Sequence, residues 1–129
     1  MSVEGLNHFN IAATQPLLGA VRDFYVNVIG LEEGARPDFG VPGHWLYAGG
    51  EPVLHLLDTT GWTDSETEAK APDYLDHIAF TCSDIETTEQ RLRGLGYDID
   101  RRDFPEAEIY QLFLKDPSGL GVELNFPDR

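Results

Sequence analysis

With 129 residues, the chain has room for one ordinary domain or two small halves, but not for two large independent ones. A composition of 41% hydrophobic and 25% charged residues excludes a disordered or fibrous protein, and a net charge of -14 argues against a nucleic-acid partner. No apolar run approaches the roughly 18 residues of a membrane span, and Met1 to Gly5 starts no basic-then-apolar signal segment, so a cytoplasmic location is expected.

In chain order, Leu6 to Ala12 reads as a strand with His8, Asn10 and Ala12 on one face and Phe9 and Ile11 on the other. Thr14 to Pro16 reads as a helix start with Thr14 as N-cap, and Leu17, Leu18, Val21, Phe24, Tyr25 and Val28 recur at helical spacing up to a stop at Gly30. Leu31 to Arg36, His44 to Ala48 and Val53 to Leu57 read as three strands, the first two separated by the turn-forming Asp38 to Gly43. Asp58 to Tyr74, with its acidic stretch, reads as a linker. Trp62 within it is expected to pack over the core edge, with a pocket lid as the functional alternative.

The order then repeats. Asp76 to Thr81 is a strand, and Ser83 to Glu86 has a capping-box pattern that opens a helix to about Arg93. Tyr97 to Arg101, Ile109 to Leu114 and Val122 to Phe126 follow as strands, with turns at Pro105 to Glu108 and Asp116 to Gly119. The lone Cys82 lies in an apolar run and is read as a buried, inert thiol.

The repeat carries chemistry with it. His8 and His77 fall in the first strand of each half, 69 positions apart, while His55 and Glu123 fall in the last strand of each half, 68 positions apart. In both last strands, parity turns His55 and Glu123 away from their apolar neighbours, so a helix-covered face and a polar site face are expected. Imidazole nitrogen with carboxylate oxygen suits divalent Fe, Mn, Co, Ni or Zn. His8, His55, His77 and Glu123 are therefore the candidate metal ligands, and His44, outside the repeat, is read as structural. Asn10 and Asn125 share the ligand faces, and Arg36, Arg101 and Arg102 are read as surface residues. Trp45, Trp62, Tyr47 and Tyr110 are candidate stacking surfaces, with packing as their more ordinary role.

Four segments together carry a family resemblance: Leu6, Asn7, His8; Phe24, Tyr25 with Gly30, Leu31; Leu75, Asp76, His77; and Asp116, Pro117, Ser118, Gly119 leading to Val122, Glu123, Leu124. The whole chain resembles the vicinal oxygen chelate superfamily, which holds glyoxalase I, methylmalonyl-CoA epimerase, extradiol dioxygenases and the fosfomycin and bleomycin resistance proteins. The resemblance implies an α+β fold of two tandem βαβββ modules, residues 1–57 and 75–129 with a linker at 58–74, whose mixed sheets form a U around a metal with helices outside. It carries His8, His77 and Glu123 onto the metal positions and His55 onto the position of a further ligand. Glyoxalase I-like members usually have Glu or Gln where this chain has His55, which weakens the case for glyoxalase activity itself.

The leading expectation is a metal-dependent lyase or isomerase acting on a small molecule with vicinal oxygens, with Glu123 as catalytic base and one divalent metal per site. Extradiol-type Fe(II) ring cleavage is one alternative, and a non-catalytic drug- or metabolite-binding resistance protein is the other. The resemblance also implies a homodimer, with the metal site built within one chain or shared across two.

Overall fold

The computed structural model describes residues 1–63 and 74–127; most of the expected linker lies outside them. The chain divides into two compact units, Met1–Ala71 and Pro72–Arg129. Each has the same order of elements. In the first, β1 (Phe9–Ala13) leads to α1 (Leu17–Asp23), which continues as a wider π-helical stretch (Phe24–Ile29), then to β2 (Glu32–Gly34), β3 (Gly43–Ala48) and β4 (Glu51–Asp58). In the second, β5 (His77–Thr81) leads to α2 (Ile85–Gly94), β6 (Asp100–Phe104), a 3-10 turn (Pro105–Ala107), β7 (Ile109–Lys115) and β8 (Gly121–Asn125).

The sheets run β1-β4-β3-β2 and β5-β8-β7-β6, so the first and last strands of each unit lie side by side. Those pairs are parallel and the others antiparallel, giving two four-stranded mixed sheets of an α+β fold. The parallel pairing makes the repeat chemically useful: Asn10 lies beside His55, and Ala79 beside Glu123. A one-residue slip of either register would turn the polar residue into the core.

Burial follows the expected parity. Leu54 and Leu56 flank the half-buried His55 and are themselves buried, and Val122 and Leu124 do the same beside Glu123. Helix α1 covers β1 and β4 with the buried Leu18 and Val21, while α2 lies against β7 with Ile85 and Leu92. Truncating one such leucine to alanine typically costs about 2–5 kcal/mol.

The helix starts differ from expectation. Thr14 gives only its backbone carbonyl, which accepts from Leu18 N, and the first-turn amide of Gly19 is satisfied by Gln15 Oε1 at 3.0 Å. In the second unit Asp84, not Ser83, is the N-cap, with its carboxylate accepting from Thr87 N at 3.2 Å. The shift by one residue keeps the capping logic, because Asp serves as well as Ser. Gly30, at φ 99°, ends the first helical run as expected. The strand expected at Tyr97 to Arg101 begins instead at Asp100, since Tyr97 N is still bonded to Leu92 O at the helix end.

Candidate metal centre

In the second unit the two candidate ligands are brought together. His77 Nε2 lies 3.3 Å from Glu123 Oε1. The far nitrogen of the ring, Nδ1, donates to Asp76 Oδ2 at 2.8 Å, which fixes ring orientation and leaves Nε2 as the outward donor atom. That same contact holds the Asp76 carboxyl below its ordinary range. Glu123 is 7% exposed, and its other oxygen, Oε2, accepts from Gln111 Nε2 at 3.1 Å and Asn125 Nδ2 at 3.3 Å.

Neighbouring backbone makes the approach possible. A Cβ on Gly121 would meet Asp76 O at 2.7 Å and His77 Cβ at 3.0 Å, so glycine lets β8 pass close to the start of β5. The turn before Gly121 is held by the buried Asp116, whose Oδ1 accepts from Ser118 N, Ser118 Oγ and Leu120 N at 2.7, 2.6 and 3.1 Å.

The fit to a metal rests on the donor atoms themselves. With Nδ1 engaged by Asp76, His77 Nε2 and Glu123 Oε1 face each other as a nitrogen and an oxygen donor, which a proton on Nε2 joins as an ion pair and a divalent ion would bridge in its place. Donors about 2.0–2.2 Å from one ion stand roughly 2.8–3.1 Å apart at octahedral angles and about 3.3–3.6 Å apart at tetrahedral ones, and the His77–Glu123 separation of 3.3 Å falls at the short end of the tetrahedral range. The pair fits a divalent metal.

In the first unit the second pair is also brought together, by ring stacking. The His8 and His55 rings lie 3.7 Å apart at 17°, and Trp45 stacks on the other face of His55 at 4.2 Å and 11°. Trp45 reaches it as the direct cross-strand partner of His55. His8 Nδ1 donates to Asn7 Oδ1 at 2.7 Å, leaving Nε2 outward, while His55 Nε2 donates to Pro52 O at 3.1 Å, leaving Nδ1. Burial lowers the His55 pKa, and the neighbouring His8 adds to that, so the ring is held in its neutral, ligand-competent form. Near-parallel rings direct their in-plane lone pairs along separate planes, so the stack offers one imidazole at a time to a single ion. A cavity of about 450 Å³ opens on these rings, lined also by Asn10, Arg36 and Phe39. Among the described residues no group of three or more His, Cys, Asp or Glu side chains is placed so that it could together hold one metal ion.

The remaining histidine, His44, pairs through Nδ1 with Glu33 Oε2, and Arg22 binds the other oxygen of Glu33 at 2.9 Å. Burial pushes the Glu33 carboxyl up, but the bonds from His44 and Arg22 outweigh it and hold the group low. Cys82 is half-buried and its thiol is pushed up by burial, as an unreactive sulfur would be.

Sequence patterning does not single out Asn7, Asp76 or Gln111. The first two were visible in the repeat, as a polar residue before each histidine. Gln111 becomes legible once the turn at Asp116 sets the β7–β8 register, which places it opposite Asn125.

Two tandem βαβββ units, each with a histidine at the first strand and a metal-capable side chain on the last, define a paired-module α+β fold class. The sequence profile of the Glyoxalase/Bleomycin resistance protein/Dioxygenase superfamily matches residues 5–124, and the chain belongs to that superfamily. Glyoxylase I 4 of Arabidopsis thaliana is similar, with 26% identity over 127 residues, which cover 96% of this chain and 71% of the relative. A glyoxalase family protein of Bacillus anthracis shares the fold at 23% identity with a TM-score of 0.72, covering 98% of this chain and 97% of its own. So does a variant of the fosfomycin resistance protein of Listeria monocytogenes, complexed with Mn(II) and 1S,2S-dihydroxypropylphosphonic acid, at 17% identity and a TM-score of 0.68, covering 97% and 93%. No helix among the described residues is long and apolar enough to cross a membrane.

Proposed function

We propose that the protein is a metal-dependent lyase or isomerase of the glyoxalase-like type, acting on a small molecule with neighbouring oxygens. His77 and Glu123 form the core of the ligand set; the stacked His8 and His55, from the same chain or from its partner in a homodimer, present one imidazole to it as they stand and both only after one ring rotates out of the stack. The observation that carries this reading is Glu123. Its buried carboxylate has amides on one oxygen and an imidazole nitrogen facing the other, so Oε1 calls for a positive partner, and a divalent ion would serve it together with Nε2. The Mn(II) bound by the fosfomycin resistance relative supports a divalent ion from the set Fe, Mn, Ni, Co and Zn.

Once bound, such an ion supplies Lewis acidity that favours negative charge on substrate oxygens. The protein's own groups do the rest. Glu123 is the one carboxylate of the set, and with Oε2 held by Gln111 and Asn125 its Oε1, the oxygen that would otherwise meet the ion, is the atom that would take a proton from carbon beside a carbonyl. Asp76 holds the His77 ring so that Nε2 stays forward.

Metal analysis of protein purified without chelator tests the reading. About one divalent ion per site is expected, lost in His77→Ala; wild-type protein that holds none after reconstitution overturns it. Glu123→Gln is expected to abolish turnover more than metal binding, and an active Glu123→Gln protein would remove Glu123 from the base role. Mixing His8→Ala with His77→Ala protein restores activity only where sites are shared between two chains.

A further inference from the structure

We propose that the cavity of the first unit binds a planar aromatic anion, its ring stacked on Trp45 and its negative group on Arg36. His8, His55 and Trp45 already form a near-parallel stack, which occupies one face of the indole. Toward the cavity the next ring is Phe39, 6.1 Å away and tilted 42°, too oblique to complete the stack. Phe39 is 57% exposed. A flat ligand stacked on the indole needs about 7 Å between the flanking rings, so the exposed Phe39 swings outward by side-chain rotation to admit it and then covers it, burying both rings.

Arg36 supplies the charge preference. Its guanidinium lies 5.1 Å from the Phe39 ring centre and lines the same cavity, and it forms no ion pair among the described residues of a chain with 23 acidic side chains. The second unit has a matching arrangement, Arg102 over Phe113 at 4.7 Å, but there Asp100 neutralises the guanidinium at 2.8 Å. Arg36 is left to receive an anion, which a carboxylate does with two parallel bonds. The net charge of -14 does not forbid this, because exposed charges beyond roughly 8 Å are largely screened at physiological ionic strength. Asn7 and Asn10 line the cavity as further amide donors. At about 450 Å³ the space suits a ligand of one or two fused rings.

The inference gives the substrate class for the reaction proposed above, and it rests on that reading only in treating the ligand as a substrate. Its test is titration with 2-naphthoate, read as quenching of Trp45 fluorescence in a Trp62→Phe background, on both metal-loaded and chelator-stripped protein. Saturable quenching is expected. Arg36→Gln should weaken it about tenfold, and uncharged 2-naphthylmethanol should bind about tenfold more weakly than the acid. Phe39→Ala should weaken the acid by a smaller factor, and cyclohexanecarboxylate should not compete at equal concentration. Absent quenching, an unchanged affinity in Arg36→Gln, or displacement by cyclohexanecarboxylate overturns the proposal. Protein that binds metal yet ignores 2-naphthoate fails this inference alone, whereas protein that binds 2-naphthoate yet no metal fails only the metal reading.

Discussion

Strands β4 and β8 hold the same place in two copies of one topology, yet they bury opposite kinds of group. His55 on β4 is neutral, so a stack of two rings and one carbonyl suffices to hold it. Glu123 on β8 is a carboxyl group, and its surroundings are polar: two amides on one oxygen and an imidazole facing the other. The difference teaches that the two units place a candidate ligand at the same point of their topology while the chemistry of that side chain dictates its neighbours. Stacking serves the ring, and hydrogen-bond donors with an imidazole serve the carboxylate.

The largest test of that contrast is metal affinity. His77→Ala and Glu123→Leu should each weaken divalent-ion binding by more than about 100-fold, exceeding the range typical for outer partners. His55→Ala should cost about tenfold, since its ring is already engaged by Trp45 and Pro52. Chelator competition reads all three. Equal losses in the three variants would erase the distinction between the units.

Next in size is the partner shell. Asp76→Asn keeps the shape but trades a carboxylate for an amide like that of Asn7, making the second unit resemble the first. Metal affinity should fall about tenfold, with the circular-dichroism spectrum unchanged. Gly121→Ala sharpens the same point through the backbone: the added Cβ would press on Asp76 O, which cannot yield as a flexible side chain would. A loss of about 1–3 kcal/mol in urea unfolding is expected, together with weakened metal binding.

These variants also mark how far the sequence alone reaches. Strand parity separates Leu54 and Leu56 from His55, and Val122 and Leu124 from Glu123, because period two is enforced by the pleat and needs no tertiary knowledge. The repeat pairs the four ligands by position. It does not reveal that His8 and His55 stack, because side-chain rotation is settled by packing against Trp45 across β3, a contact that depends on register. Helix ends are similarly blurred: Ser83 and Asp84 are both capable caps, and only the backbone turn at Asp84, φ 64°, decides between them.

The smallest effect concerns ion pairs, which also differ between the units. In the first, Arg22 and His44 share Glu33. In the second, Arg101 binds Glu86, Glu89 and Asp103 at 3.2, 2.7 and 3.1 Å, with its own side chain only 18% exposed. Hydrogen bonding from Arg101, with help from Arg93, holds the Glu89 carboxyl below the usual glutamate range despite burial. A carboxyl depressed on folding contributes stability that is complete above its unfolded value and is lost as pH falls through the folded one. The contribution of Glu89 should therefore persist at neutral pH and fade below about 4.5. Glu89→Gln should cost about 1 kcal/mol at pH 7 and nothing once the wild-type carboxyl is protonated. Urea unfolding of both proteins from pH 7 down to the acid limit of folding measures it. A cost that persists undiminished into acid would assign the loss to packing of the Glu89 stem, and would leave the ion-pair cluster without a share in the stability of the second unit.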